Sequence, residues 1–139
     1  MSELQASTQT TATGTAPDDR QTVQAVISTY LEAVRTGNRA LFAQAFDSAS
    51  TVSHCAVADG TLETVSITGF MDEVDELLGQ LNVVEETPRD MRIDIAGRVA
   101  SVRVDFSLRL GADESTGTDF FSLAKTGTGW TITHKLYAM

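Results

Sequence analysis

Helix-spaced apolar residues in the first half and strand-spaced ones in the second predict an α+β fold. Val23, Val26, Ile27, Tyr30, Leu31 and Val34 recur at the spacing of one helical face, whereas apolar residues from Met91 onward alternate with polar ones. Strict strand–helix alternation is missing, so the pattern predicts helices packed on a strongly curved antiparallel sheet rather than a doubly wound parallel one.

The elements follow in order. Residues 1–17 are mostly Ser, Thr, Gln, Ala and Gly. Such a stretch lacks the apolar surface needed to offset its ordering entropy and reads as a disordered tail. A single domain is expected over 18–139. Asp18 is placed to cap the first helix, with Gln21 reaching back, and Gly37 supplies its stop. Asn38 then caps a short second helix facing inward with Leu41, Phe42, Ala45 and Phe46. From Thr51 the period falls to two, putting Val52 and His54 on one side of a strand. Asp59-Gly60 reads as a hairpin turn into the run from Leu62 to Ile67. A third helix after Thr68 turns Phe70, Val74, Leu77, Leu78 and Leu81 inward. Strands follow at Met91–Ile95, Val102–Arg109, Asp119–Ala124 and Trp130–Tyr137.

Composition narrows the function. With 139 residues, 42% of them hydrophobic, the chain can bury a core without staples. A net charge of -9 repels nucleic acid and anionic membrane surfaces, so neither is an expected partner. One cysteine, Cys55, excludes an intrachain disulfide, and His54 and His134 match no zinc spacing. Neither a leader pattern nor a membrane-length apolar run is visible, so the cytoplasm is the expected location. No nucleotide loop or cofactor motif appears, so no cofactor is expected and no metal site is predicted.

Three polar residues fall on apolar faces: Tyr30, His54 and Asp119. Buried polar groups cost free energy unless they are paired or used. Their convergence on one cavity, lined also by Phe70, Val74, Phe106 and Phe121, is the main functional expectation. His134 shares a strand side with Trp130 and Ile132 and is expected to line the same cavity. On the opposite sheet face lie Arg103, Asp105, Arg109 and Phe120.

This order of elements resembles the nuclear-transport-factor-2-like superfamily of cone-shaped domains from Asp18 to the C-terminus. The segment Asp119-Phe120-Phe121-Ser122-Leu123, then Lys125, Trp130-Thr131-Ile132 and Lys135, is similar to its lumazine-binding-like branch, grouped near the SnoaL-like polyketide cyclases. Ketosteroid isomerases of this fold resemble the chain more distantly. Tyr30 precedes Gly37 as their oxyanion-binding tyrosine precedes the corner glycine, His54 follows Thr51-Val52-Ser53 at the position of their carboxylate base, and Asp119 matches their second oxygen donor. The resemblance implies a small apolar ligand with a carbonyl or phenol and a homodimer through the outer sheet face. Should it extend to chemistry, it implies cofactor-independent proton transfer next to a carbonyl, with His54 as base and Tyr30 and Asp119 as donors. An imidazole is a competent base near neutral pH. The alternative is a non-enzymatic interaction or scaffold domain whose cone is filled by its own side chains. Cavity volume separates the two: an open pocket of roughly 300 Å³ or more favours the ligand.

Overall fold

The computed structural model describes residues 18–139; the predicted N-terminal tail lies outside the described residues. Helix α1 (Asp19–Thr36) starts where the Asp18 side chain accepts the Gln21 amide at 2.7 Å. It ends at Gly37, whose φ of 69° is left-handed and whose amide donates to Ala33 O. A Cβ at Gly37 would also sit 2.8 Å from Leu78 Cδ1, so backbone and packing both demand glycine at the corner. Asn38 caps α2 (Arg39–Ala45), which buries Phe42 and Ala45.

Strand β1 (Phe46–Cys55) begins well before Thr51, because a register irregularity between Phe46 and Thr51 breaks the alternation that would reveal it. It forms a hairpin with β2 (Leu62–Ser66). Ser66 then caps α3 (Ile67–Leu81) by accepting the Gly69 amide at 3.0 Å. Four strands complete the chain: β3 (Val84–Ala96), β4 (Val99–Leu110), β5 (Asp113–Thr126) and β6 (Gly129–Ala138). β3 starts at Val84 rather than Met91. Pro88 and the charged residues around it conceal the strand in the sequence, but β3 lies at the sheet edge, where a missing amide need not break a ladder.

The sheet order is β2-β1-β6-β5-β4-β3. Pairing is antiparallel except between β1 and β6, which run parallel and join the chain's early and late strands. The three helices pack on the concave face, where Val102, Val104, Phe106, Phe121, Leu123 and Ile132 are buried. Tyr30 from α1 stands at the centre, edge-on to Phe46 and Phe121 at centroid distances of 5.7 and 5.3 Å. Asp19 fixes the start of α1 to the sheet, accepting from Lys125 Nζ at 2.8 Å and Trp130 Nε1 at 3.0 Å. Among the described residues no helix is long and apolar enough to cross a membrane.

One irregularity decides what the last strand shows to the core. Ser122 pairs with His134 and Leu123 with Ile132, leaving Thr133 extra on β6. A bulge of this kind reverses the parity of everything after it. Lys135 is therefore opposite Phe121 and Tyr137 opposite Asp119, on the inner face. His134 goes outward and meets Thr51, with Nδ1 and Oγ1 2.8 Å apart.

Gly117 offers a test of this packing. A Cβ there would lie 2.5 Å from Ala138 O and 2.6 Å from Phe106 Cζ, crowding β6 backbone and a core ring together. Gly117→Ala is expected to lower stability by about 1–3 kcal/mol, the range for overpacking. Urea denaturation checks this, and an unchanged midpoint would contradict the close approach of β5 to β6.

Candidate functional site

A buried ammonium organises the site. The bulge aims Lys135 into the concave face, where it is only 4% exposed. Its Nζ donates to Tyr30 Oη at 2.6 Å, and Tyr30 passes its own hydrogen to Glu86 Oε1 at 2.8 Å. Asp119 Oδ1 lies 3.6 Å from the same nitrogen, an ion-pair distance longer than a hydrogen bond. Ring centroids of Tyr30, Phe70 and Tyr137 surround the ammonium at 4.9, 4.7 and 4.7 Å, within cation–π range. Each partner comes from a different element: α1 supplies Tyr30, α3 Phe70, β3 Glu86, β5 Asp119, and β6 both Lys135 and Tyr137.

The charges do not balance if every group is ionised. Glu86 Oε2 and both Asp119 carboxyl oxygens are buried with no hydrogen-bond partner. Two carboxylates against one ammonium leave an excess negative charge in a poorly solvated place. A proton kept on Asp119 cancels that charge. Burial accordingly pushes the Asp119 carboxyl well above the usual carboxylate range. The Lys135 charge opposes this, while the neighbouring Glu86 carboxyl adds to it. Burial, then the charges of Glu86 and Asp119, likewise raise the Tyr30 hydroxyl well above an ordinary phenol. At neutral pH Tyr30 is a phenol whose hydrogen is already committed to Glu86.

Beside the ammonium lies a recess of about 130 Å³, walled by Tyr30, Phe70, Val74, Phe106, Lys135 and Tyr137. Glu73, Leu77 and Met139 also border it. It falls short of the roughly 300 Å³ of a typical small-molecule pocket. Its volume is close to the ~150 Å³ cavity that accommodates benzene. Side chains fill most of the cone.

The structure brings together some of the residues expected to converge, but not all. Tyr30, Phe70, Val74 and Phe106 line the recess. Asp119 and Phe121 lie behind its wall, Asp119 against Lys135 and Phe121 against the Tyr30 ring. His54 faces inward but occupies a separate recess of about 40 Å³ with Val52, Glu63 and Val65. Its Nε2 is 3.2 Å from Glu63 Oε1, and its ring stacks on Tyr137 at 4.9 Å and 21°. The expected meeting of His54 with Tyr30 and Asp119 is therefore corrected, because Tyr137 borders both recesses and occupies the place between them. His134 is corrected too: the Thr133 bulge removes it from the cavity side. Glu86, Lys135 and Tyr137 were absent from the expected set. Only the alternation of Val84 with Glu86 hinted at the first, and nothing in the sequence announces the bulge that turns in the other two.

Two measurements test the cluster. Tyr30→Phe removes the hydroxyl that accepts from Lys135 and donates to Glu86, and is expected to cost about 1–3 kcal/mol in chemical denaturation. An unaffected stability would mean the network carries no strain-free hydrogen bonds. The second test concerns pH. The raised Asp119 pKa means the native state keeps a proton that the unfolded chain releases, so this group favours folding below the ordinary value of 3.8. That advantage fades as pH climbs from there through the raised native value. The stability difference between the unmodified chain and Asp119→Asn should therefore decrease with rising pH over this window. A difference that grows with pH would show Asp119 to be an ionised partner of Lys135.

Comparisons with known proteins place this architecture. The model of a family described as "Putative lumazine-binding" matches residues 18–138. A search of curated proteins finds no match. Among solved structures, an NTF2-like protein of unknown function from Shewanella baltica OS155 is 29% identical, with a TM-score of 0.71 over 86% of this chain and 91% of that one. An NTF2-like superfamily protein from Salmonella enterica serovar Typhimurium LT2 is 20% identical, with a TM-score of 0.72 over 86% and 89%. A "putative ketosteroid isomerase" from Shewanella frigidimarina NCIMB 400 is 21% identical, with a TM-score of 0.67 over 84% and 94%. With its family model matched along the whole described domain and its helices on a six-stranded sheet, the chain belongs to the lumazine-binding-like family of the NTF2-like superfamily.

Proposed function

We propose that this domain binds a small, largely apolar molecule of about one ring that carries a carbonyl or phenol oxygen. The observation that supports this is the Lys135 ammonium at the wall of an otherwise apolar recess. An ammonium has three N–H donors, and among the described residues only Tyr30 accepts one at hydrogen-bond distance. A ligand oxygen offers an acceptor to the others. Tyr30 is a weaker candidate for direct contact, since its hydrogen is directed to Glu86. Binding rather than proton transfer is the reading the geometry favours, because His54 lies beyond Tyr137 from the recess. A two-ring molecule such as lumazine exceeds about 130 Å³ unless the wall moves.

The rival, a filled-cone interaction domain, draws support from the outer sheet face. Phe120 and Leu136 sit opposite each other on β5 and β6 and are 50% and 42% exposed, with the Arg103 guanidinium 5.5 Å from the Phe120 ring. We propose that a second copy of the chain covers this face, and the dimer is compatible with either reading. Phe120→Glu is expected to convert a dimer to a monomer in sedimentation velocity, and an unmodified chain that is already monomeric would refute the interface.

For the ligand, NMR titration with 4-hydroxyacetophenone is the direct test. Shifts are expected at Tyr30, Phe70, Val74, Lys135 and Tyr137, with affinity falling at least about tenfold in Lys135→Met, as for loss of a charge-assisted hydrogen bond. Silent spectra at millimolar probe would favour the filled cone.

A further inference from the structure

The charge count that makes the cluster neutral at rest also constrains what is able to join it. Groups facing the ammonium come from every element packed around it. They are Tyr30 from α1, Glu73 and Phe70 from α3, Glu86 from β3, Asp119 from β5, and Tyr137 beside Lys135 on β6. Lys135 is the only cation in this set. A proton kept on Asp119 leaves one buried carboxylate, Glu86, to balance it, while Glu73 is exposed to solvent at the border of the recess and stands outside this count. An anion arriving at Lys135 would restore an uncompensated negative charge in a largely water-excluded site, which is strongly unfavourable. A second proton on the carboxyl pair removes that excess.

We infer that the recess takes up weak acids together with their proton, the anionic oxygen resting on Lys135 and the proton on the Glu86–Asp119 pair. This rests on the small-molecule reading and narrows it to carboxylic acids, enols and phenols bound in net neutral form. The proton balance is simple: one ligand anion and one proton enter from solvent, and no bond other than O–H forms.

Calorimetric titration of the full chain with benzoate, in two buffers of different ionisation enthalpy, reads the proton directly. The expected result is one proton taken up per benzoate and an affinity that falls about tenfold per pH unit above neutrality, the linkage slope for one proton. Benzamide, a neutral isostere, is expected to bind with no uptake and no pH dependence. In the double variant Glu86→Gln/Asp119→Asn, benzoate should bind without a proton. Uptake that persists in this variant would place the proton elsewhere, on His54 for example, and overturn the inference. So would benzoate binding to the unmodified chain with no proton taken up. If benzamide and 4-hydroxyacetophenone bind while benzoate does not, the small-molecule reading stands and the inference falls. If none of the three binds, both fall.

Discussion

A lysine ammonium inside a protein is costly, and here its burial dictates the arrangement around it. Lys135 Nζ meets one hydroxyl, one nearby carboxyl and three aromatic rings, drawn from α1, α3, β5 and β6, while Glu86 of β3 closes the chain through Tyr30. Removing any one partner exposes the charge of another. Stability alone is a poor reason to keep such a cluster, because buried ion pairs are often replaced by apolar residues at little or no cost. An apolar side chain in place of Lys135 would fill the same space beside Phe70 and Tyr137 without the accompanying carboxyls. What the cluster adds is a donor with unused capacity next to a cavity, the feature on which the proposed ligand binding rests.

The cluster depends in turn on a single extra residue. Without the bulge at Thr133, unbroken alternation would send His134 to the concave face with Ile132, and Lys135 to the outer one. The ladder irregularity is a local departure, yet it exchanges an imidazole for an ammonium at the centre of the site. Bulges commonly re-aim side chains beside functional sites. Gly117 serves the same region from β5, since its missing side chain lets Ala138 O and the Phe106 ring approach the strand.

The parts of this molecule readable from sequence are those where periodicity runs unbroken. Val23 to Val34, Phe70 to Leu81, Val102 to Leu108 and Asp119 to Leu123 each keep a single period, and their inward residues are buried or half-buried as that period predicts. Tyr30 and Asp119 fall in these stretches, so their burial was legible. Glu86 was not, because the residues between it and Met91 carry charges and a proline that mask an edge strand. Lys135 and Tyr137 were hidden by the bulge. His54 shows a different limit: alternation gives the face of a strand, but not the neighbour that face meets. Its strand does turn it inward, yet the outer hairpin supplies Glu63 and the last strand supplies Tyr137, and together these occupy the imidazole.

The field around the site bears on how a weak acid would reach it. The chain carries a net charge of -9, and Glu73 stands at the border of the recess. Such a surface lowers the local concentration of anions and slows their approach, while Phe70, Val74, Leu77 and Met139 make the entrance apolar. Lys135, the one attraction for an anion, is screened from solvent by three rings and cannot steer from a distance. A protonated acid meets neither the repulsion nor the desolvation penalty that its anion does. Once inside, the proton has acceptors close by in the Glu86 and Asp119 carboxyls, and the ligand oxygen has an ammonium. Outer charge and inner cluster therefore act in the same direction, against an anion that comes without its proton.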